Sequence, residues 1–359
     1  MNIGIIGPTR SGKTTVFHLL TGTAPDPHAD LKHEVRHGVT SVPDPRVDKL
    51  AEISQSKKIT YTTVEYVDMP PFDAGASKSD WFASALEGGI KTTDALLLVV
   101  RGFGAEDAGQ PLDPLRDILI VQEELVLADL ILLEKRQERL HRQKRVKVLT
   151  SDEKVEMDIL ERALAHLNTD QPLRTVKLDP HEKKTLRGFQ FLSEKPLLAV
   201  INAEESSLPS VMASIEDIHS KLSGFSIATM ALSAKLEEEI SELPPDEQTV
   251  FMSDIGVSEL ARDRVLHASQ ALLGLQTFLT TGEKESRAWP LPKGGTALEA
   301  AGVVHTDLAR GFIRAEVVHF ADFVREGGYP GCKHKGLLRL EGKEYPVKDG
   351  DVLLIRHSG

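Results

Sequence analysis

Gly7-Pro8-Thr9-Arg10-Ser11-Gly12-Lys13-Thr14 follows directly on the apolar stretch Ile3 to Ile6 and runs into Thr15-Val16-Phe17-His18-Leu19-Leu20. The octapeptide has the Gly-x-x-x-x-Gly-Lys-Thr spacing of a phosphate-binding loop. By composition alone the pattern arises by chance in roughly one chain in a hundred of this length. Its setting is what chance does not supply: a short strand before it, and after it apolar residues at helical spacing, so that the loop opens a helix whose free N–H groups point at a bound anion. Lys13 is then placed to reach the β and γ phosphates and Thr14 to ligate Mg²⁺, the two groups expected to matter most for catalysis. Arg10, Ser11, Gly12 and Thr15 complete the expected cradle.

Working outward, the first hundred residues alternate strands and helices: Ile3 to Ile6, a helix from Gly12, a strand ending at Asp68, and the continuous apolar run Ala95 to Val100. This is the pattern of a parallel sheet covered on both faces. From Leu112 two long helical stretches follow, Asp117 to Lys147 and Asp152 to Leu167, joined by a short break at Thr150-Ser151. Two long helices with a short link imply an antiparallel arm. Ser151-x-x-Lys154 lacks the carboxylate of a full capping box, although Asp152 and Glu153 favour a helix start there. Strand signals return at Pro196 to Ile201 and Ser226 to Ala231, which makes the arm an insertion. A helix over Val257 to Leu273 leads to a Gly- and Pro-rich segment with short β runs, Phe312 to Val318, Gly336 to Leu340 and Val352 to Arg356, expected to form a small α+β module.

The 359 residues suffice for two or three domains with a sizeable core. No apolar run approaches a membrane span and no secretory pattern opens the chain, and the single cysteine, Cys332, suits a reducing compartment; a cytoplasmic monomer without membrane contact is expected. The formal net charge of -11 argues against indiscriminate nucleic-acid binding. Against that acidic background, Lys135, Arg136, Arg139, Arg142, Lys144, Arg145 and Lys147 crowd into thirteen positions with Glu138 as the one acid among them. The patch reads either as a solvated helix face or as an RNA contact.

A nucleotide switch also needs a carboxylate for Mg²⁺, a loop that reads the base, and segments that sense the γ phosphate. Asp68, ending Val64-Glu65-Tyr66-Val67, occupies the first role. Asn202-Ala203-Glu204-Glu205 and Ser233-Ala234-Lys235 follow the two later strands, so Asn202, Glu205, Ser233 and Ala234 are expected at the base. GTP-specific proteins carry Asn-Lys-x-Asp in the first of these loops, the Asp accepting two hydrogen bonds from guanine. Here Ala203 replaces the Lys and Glu205 the Asp, so the guanine clamp is absent, and ATP should bind at least as well as GTP.

Taken with Val42-Pro43-Asp44-Pro45-Arg46, Gly75-Ala76-Ser77-Lys78, Leu275-Gln276-Thr277-Phe278, Arg287-Ala288-Trp289, Gly311-Phe312-Ile313-Arg314-Ala315-Glu316 and Lys348-Asp349-Gly350-Asp351-Val352, these motifs resemble the YchF family of Obg-related P-loop proteins over nearly the whole chain. The resemblance implies an α/β P-loop NTPase sheet with an inserted helical coiled-coil arm and a C-terminal α+β TGS domain of ubiquitin-like β-grasp form. The expected boundaries are a G domain over 1–110 and 194–275, the arm over 111–193 and the TGS domain over 276–359. It further implies Mg²⁺ with ATP or GTP, nucleotide hydrolysis, and a ribosome or ribosomal-RNA partner met by the basic arm and the TGS domain.

Departures from the family pattern qualify the enzyme. The strand-end Asp is continued in the family as Asp-x-x-Gly, whose glycine N–H bonds the γ phosphate; here it is Asp68-Met69-Pro70-Pro71, and proline has no N–H. The Gly-rich stretch that follows is shortened to Ser79-Asp80-Trp81-Phe82, and Lys32 aligns with the switch threonine; the family already lacks the usual polar residue after that motif, and Phe72, which cannot orient water, stands there. A P-loop ATPase with impaired turnover is expected, the alternative being a ribosome- or RNA-binding module without useful catalysis. A competing motif, His33-Glu34-Val35-Arg36-His37, matches the His-Glu-x-x-His of zinc proteases. Flanked by prolines and lacking a long apolar helix, it is read as part of the switch region, with adventitious metal binding by His33, His37 and His28 as the residual possibility.

Overall fold

The computed structural model describes residues 1–24, 35–71, 89–104, 112–244, 247–248, 250, 252 and 259–358. The first third of the chain forms β1 (Asn2–Ile6), α1 (Lys13–Thr21), β2 (Arg36–Val42), α2 (Pro45–Ser54), β3 (Ile59–Thr60), β4 (Thr62–Asp68) and β5 (Ala95–Gly102). There follow α3 (Pro114–Val146), α4 (Ser151–Leu167), α5 (Pro180–Leu186), β6 (Leu197–Ala203), α6 (Leu208–Leu222), β7 (Ile227–Leu232), α7 (Ala234–Ser241) and α8 (Ala261–Leu272). By contact the chain divides into two compact units, residues 1–40 with 65–265, and residues 41–64 with 266–359.

The first unit is built on a six-stranded sheet in the order β2-β4-β1-β5-β6-β7. The pairings of β4, β1, β5, β6 and β7 are parallel, with Ile5 opposite Asp68 and Ile201 opposite Ala231. Every residue of β6, and all but one of β5, is buried, which is why both read as unbroken apolar runs: strands covered on two faces have no polar side to alternate. Because the strands run together, the loops after β1, β4, β6 and β7 emerge at one carboxyl edge, where ligands of open α/β sheets bind.

The first turns of α3 pack Ile118, Val121 and Leu125 into the sheet core, whereas Leu133 and Leu140 further along join Met157, Leu160 and Ala163 of α4. The helix thus begins on the sheet and continues into the arm. The cap of α4 lies one residue before the expected position: Thr150 accepts from Glu153 N at 3.2 Å and Glu153 reaches back to Thr150 N at 2.9 Å, a complete capping box in place of the incomplete one at Ser151 and Lys154. The helix before it spans Pro114 to Val146 rather than Asp117 to Lys147, because Asp113 caps it and Pro114 suits its first turn. At the arm's base, Asp129 is buried and accepts from Leu192 N at 2.9 Å and Ser193 N at 2.7 Å. Arg174 donates there to the carbonyls of Phe225 at 2.8 Å and Ser193 at 3.1 Å. Burial holds the Asp129 carboxyl up at about 6 and Arg174 down at about 10.

The second unit adds β8 (Leu275–Thr280), β9 (Ser286–Pro292), α9 (Ala297–Val304), β10 (Phe312–His319), β11 (Arg339–Glu341) and β12 (Asp351–His357). Its mixed sheet has the order β11-β10-β12-β8-β9-β3, and α9, capped by Thr296 and Glu299, packs Ala297, Ala300 and Ala301 against Phe278, Phe312 and Leu353. Val47 and Leu50 of α2 join Leu279, Val318 and Phe323 in a second core cluster, which is how residues 41–64 come to belong to this unit although the sequence reading kept them within the first segment. The strand expected at Gly336 to Leu340 forms only at Arg339–Glu341, since Gly336 takes a positive φ of 68° and closes the short helix Tyr329–His334. The helix expected from Val257 is described as helix from Ala261, residues 253–258 lying outside the described set.

Candidate nucleotide site

Gly12 takes a left-handed φ of 79° and ends the loop, so that Lys13 is the first residue of α1 and the first N–H groups of the helix have no intrahelical acceptor. A Cβ at Gly12 would fall 2.1 Å from Nδ2 of Asn202, and one at Gly7 would fall 2.4 Å from the Val99 carbonyl. Glycine is required at both for steric reasons. Arg10 also has a positive φ, 61°, and is exposed at the loop's tip. Ser11 is buried, and its Oγ has no hydrogen-bond partner among the described residues, a polar atom in need of a ligand.

Lys13 is buried and turned toward β4, where its Nζ pairs with Asp68 Oδ1 and donates to the Met69 carbonyl at 2.5 Å. Thr14 Oγ1 lies 3.5 Å from Asp68 Oδ2. A Mg²⁺ ion binds oxygen at roughly 2.1 Å, so two of its ligands are at most roughly 4.2 Å apart, and the Thr14 and Asp68 oxygens fit that set. On the other flank of the loop, Asn202 donates from Nδ2 to the Ser11 carbonyl at 3.2 Å and accepts at Oδ1 from Ala234 N at 3.0 Å. Beyond it opens a cavity of about 440 Å³ lined by Thr15, Phe103, Asn202, Glu205, Ser233 and Lys235, among others, a size that suits a nucleoside.

The structure therefore gathers Gly12, Thr15, Asn202, Glu205, Ser233 and Ala234 around one cavity, with Lys13, Thr14 and Asp68 as a separate polar cluster at the loop's other end. Glu205 is exposed and Ser233 buried. Two contributors were not singled out from the sequence. Phe103, just after β5, is an aromatic residue lining the cavity. Arg36, in β2, donates to Asp68 Oδ2 at 2.5 Å and Thr14 Oγ1 at 3.2 Å, and its guanidinium lies 5.3 Å from the Phe17 ring centroid. A signal for Arg36 was present: from Arg36 to Val42 burial alternates, with Gly38, Thr40 and Val42 inward, and period-2 reading puts Arg36 on that same inward face, where a cation needs a carboxylate.

His37 lies on β2 and not on a helix, its ring 2.9 Å from Glu65 Oε1, so the geometry that His-Glu-x-x-His needs is absent at its second histidine. His28, Lys32, His33, Glu34, Phe72, Gly75 to Lys78 and the stretch 79–82 lie outside the described residues. Among the described residues no group of three His, Cys, Asp or Glu side chains could hold a metal ion.

Residues 275–358 match the family model YchF-GTPase_C, described as a protein of unknown function. The chain is 39% identical over 363 residues to the ribosome-binding ATPase YchF of Pasteurella multocida (strain Pm70), covering 99% of this chain and 98% of that one. The chain belongs to the YchF family. The YchF protein of Bacillus subtilis (strain 168), also called a ribosome-binding ATPase, is 35% identical over 367 residues, covering 100% of this chain and 99% of that one. The solved YchF GTPase of Schizosaccharomyces pombe superposes with a TM-score of 0.84 at 25% identity, covering 99% of this chain and 97% of that one. The YchF architecture, a P-loop sheet with a helical arm and a C-terminal TGS domain, is thus the fold of this chain, and the phosphate-binding loop makes it a nucleotide-binding protein of the P-loop class. No helix among the described residues is long and apolar enough to cross a membrane.

Proposed function

We propose that this chain binds ATP with Mg²⁺, hydrolyses it slowly, and associates with the ribosome as its named relatives do. The observation that carries the nucleotide reading is the Asn202 clasp between the phosphate loop and the start of α7, with the cavity beside it. That cavity has Ala203 and an exposed Glu205 where a guanine clamp would need Lys and Asp, so nothing in it rewards the exocyclic amine of guanine. Phe103 supplies a face for the purine in either case.

On binding, Lys13 must leave Asp68 for the phosphates, and Thr14 and Asp68 are the oxygen donors that would hold Mg²⁺. Held there, the ion would supply positive charge to offset that of the phosphates. Among the described residues, the stretch after Asp68 offers no backbone donor for the γ phosphate. Met69 gives its N–H to the Ile5 carbonyl at 3.1 Å, and Pro70 and Pro71 have none. Slow turnover follows from that lack.

For the ribosome, the arm is the favoured contact. Three of its seven clustered cations are internally neutralised: Arg136 on Glu156, Arg142 on Glu138 and Lys147 on Glu153. Lys135, Arg139, Lys144 and Arg145 are exposed without a carboxylate partner among the described residues. They suit a polyanion such as ribosomal RNA, with the TGS domain as a second contact.

Calorimetric titration with ATP and then GTP, each with Mg²⁺, tests the nucleotide reading; GTP binding more tightly by tenfold or more would overturn the base-site argument. Co-sedimentation of the Lys13→Ala protein with ribosomes tests the coupling. Unchanged sedimentation would favour a ribosome-binding module that nucleotide does not gate.

A further inference from the structure

Arg36 stands against both oxygens that a Mg²⁺ ion would use. Its Nη2 is 2.5 Å from Asp68 Oδ2 and 3.2 Å from Thr14 Oγ1, and those oxygens are 3.5 Å from each other. An ion bound about 2.1 Å from both oxygens would lie within about 3.4 Å of that nitrogen on every approach. Two cations at that separation in a part-buried site repel strongly, so metal and guanidinium exclude one another. The guanidinium is also well seated. Its side chain is 17% exposed, its other terminal nitrogen is 3.4 Å from His18 Nε2, and its plane lies by the Phe17 ring. Asp68, 2% exposed, is therefore neutralised by Lys13 and Arg36 together.

We propose that Arg36 is the resident cation of the unliganded phosphate site, so that Mg²⁺ reaches Thr14 and Asp68 only by displacing it. When a nucleoside triphosphate enters and Lys13 moves to it, Arg36 keeps Asp68 neutral and sets a guanidinium charge beside the β and γ oxygens, a charge that suits phosphate. Binding of the triphosphate is thereby made nearly independent of Mg²⁺, and Mg²⁺ enters only by displacing Arg36. The inference rests on the ATP reading above and adds to it a specific exchange between a side chain and an ion.

The test is calorimetric titration of full-length protein with ATP, in Mg²⁺ and in EDTA, for the wild type and for Arg36→Ala and Arg36→Gln. The wild type should bind ATP within about threefold in the two buffers. Each variant should bind at least about tenfold more weakly in EDTA than in Mg²⁺, because Asp68 then faces the phosphates with no second cation, a loss in the range of one charge-assisted contact. Two variants that differ in volume guard against a packing effect, and a thermal melt of each checks that it is folded. Equal Mg²⁺ dependence in wild type and both variants would overturn the role of Arg36 while leaving ATP binding intact. Absence of binding in all six titrations would overturn the ATP reading and this inference with it.

Discussion

The side-chain amide of Asn202 reaches the main-chain carbonyl of Ser11 at 3.2 Å, which ties the loop that follows β6 to the phosphate loop that follows β1. Its oxygen holds Ala234 N at 3.0 Å, so one residue ties the end of β6 to both the phosphate loop and the start of α7. Asn202→Ala removes both bonds and leaves a buried N–H without its acceptor, and should destabilise the protein by about 1–3 kcal/mol. The same variant should weaken nucleotide binding. Calorimetric melting together with ATP titration checks this; a variant that melts with the wild type and binds equally well would show the clasp to be incidental.

Asp68 shares two cations, so removing either Lys13 or Arg36 leaves it one partner, whereas removing both leaves a charge 2% exposed with neither. Urea melts of Lys13→Ala, Arg36→Ala and the double variant should therefore be non-additive. The double variant should lose on the order of 3–5 kcal/mol, more than the two single losses together. Simple additivity would mean that the two cations act on Asp68 independently.

Turnover should respond to Pro71. Pro71→Gly restores an N–H where the family has one, and a hydrogen bond to a charged phosphate oxygen contributes about 1.5–3 kcal/mol. Single-turnover ATP hydrolysis by this variant should be faster than by the parent by roughly tenfold or more if most of that bond is formed only in the transition state. A rate no faster than the parent would remove Pro71 as the cause of slow hydrolysis.

Asp129 should make the arm's base sensitive to pH. Burial raises its carboxyl to about 6, above the usual range near 4, so between about pH 4 and about pH 6 the folded protein keeps a proton that the unfolded chain has released. Stability contributed at this residue is highest below that window and falls as pH rises through it. Asp129→Asn removes the titration. Between about pH 4 and pH 7 the stability difference should shift toward the variant by on the order of 2–3 kcal/mol, measured by urea unfolding at each pH. A difference that stays constant with pH would contradict the assignment.

Cys332 has no exposed surface, its Sγ is 3.6 Å from the Asp322 carbonyl, and burial pushes its thiol pKa up. A thiol-specific chromogenic reagent should modify the native protein on the order of a thousandfold more slowly than the urea-unfolded chain, the factor expected if reaction waits for a local opening of several kcal/mol. Comparable rates would place the thiol at an accessible surface and contradict its burial.

The legible parts of the site were those whose geometry is local. Gly7 and Gly12 could be assigned because a backbone that must accept a positive φ or a close approach admits no other residue. Asp68, Asn202 and Ser233 followed from their positions at the ends of apolar runs. The capping box at Thr150 was misplaced by one residue, which is the usual resolution of helix ends when several capping residues adjoin. The arm's basic patch was visible as a run, but its partial neutralisation was not, because Glu156 meets Arg136 only once α3 and α4 lie side by side.

By itself, the sequence determined the parallel P-loop sheet, the inserted arm, the C-terminal α+β module and the loops gathered at the sheet's carboxyl edge, because each rests on contiguous residues whose periodicity or backbone restriction acts locally. Only the tertiary structure decided which cations hold Asp68, and that residues 41–64 pack with the C-terminal unit. Arg36 and Asp68 are 32 positions apart and Lys13 and Asp68 are 55 apart, and they meet because the strand order sets β4 between β2 and β1. Strand order depends on the burial of whole faces at once, a collective property that no short stretch of residues carries.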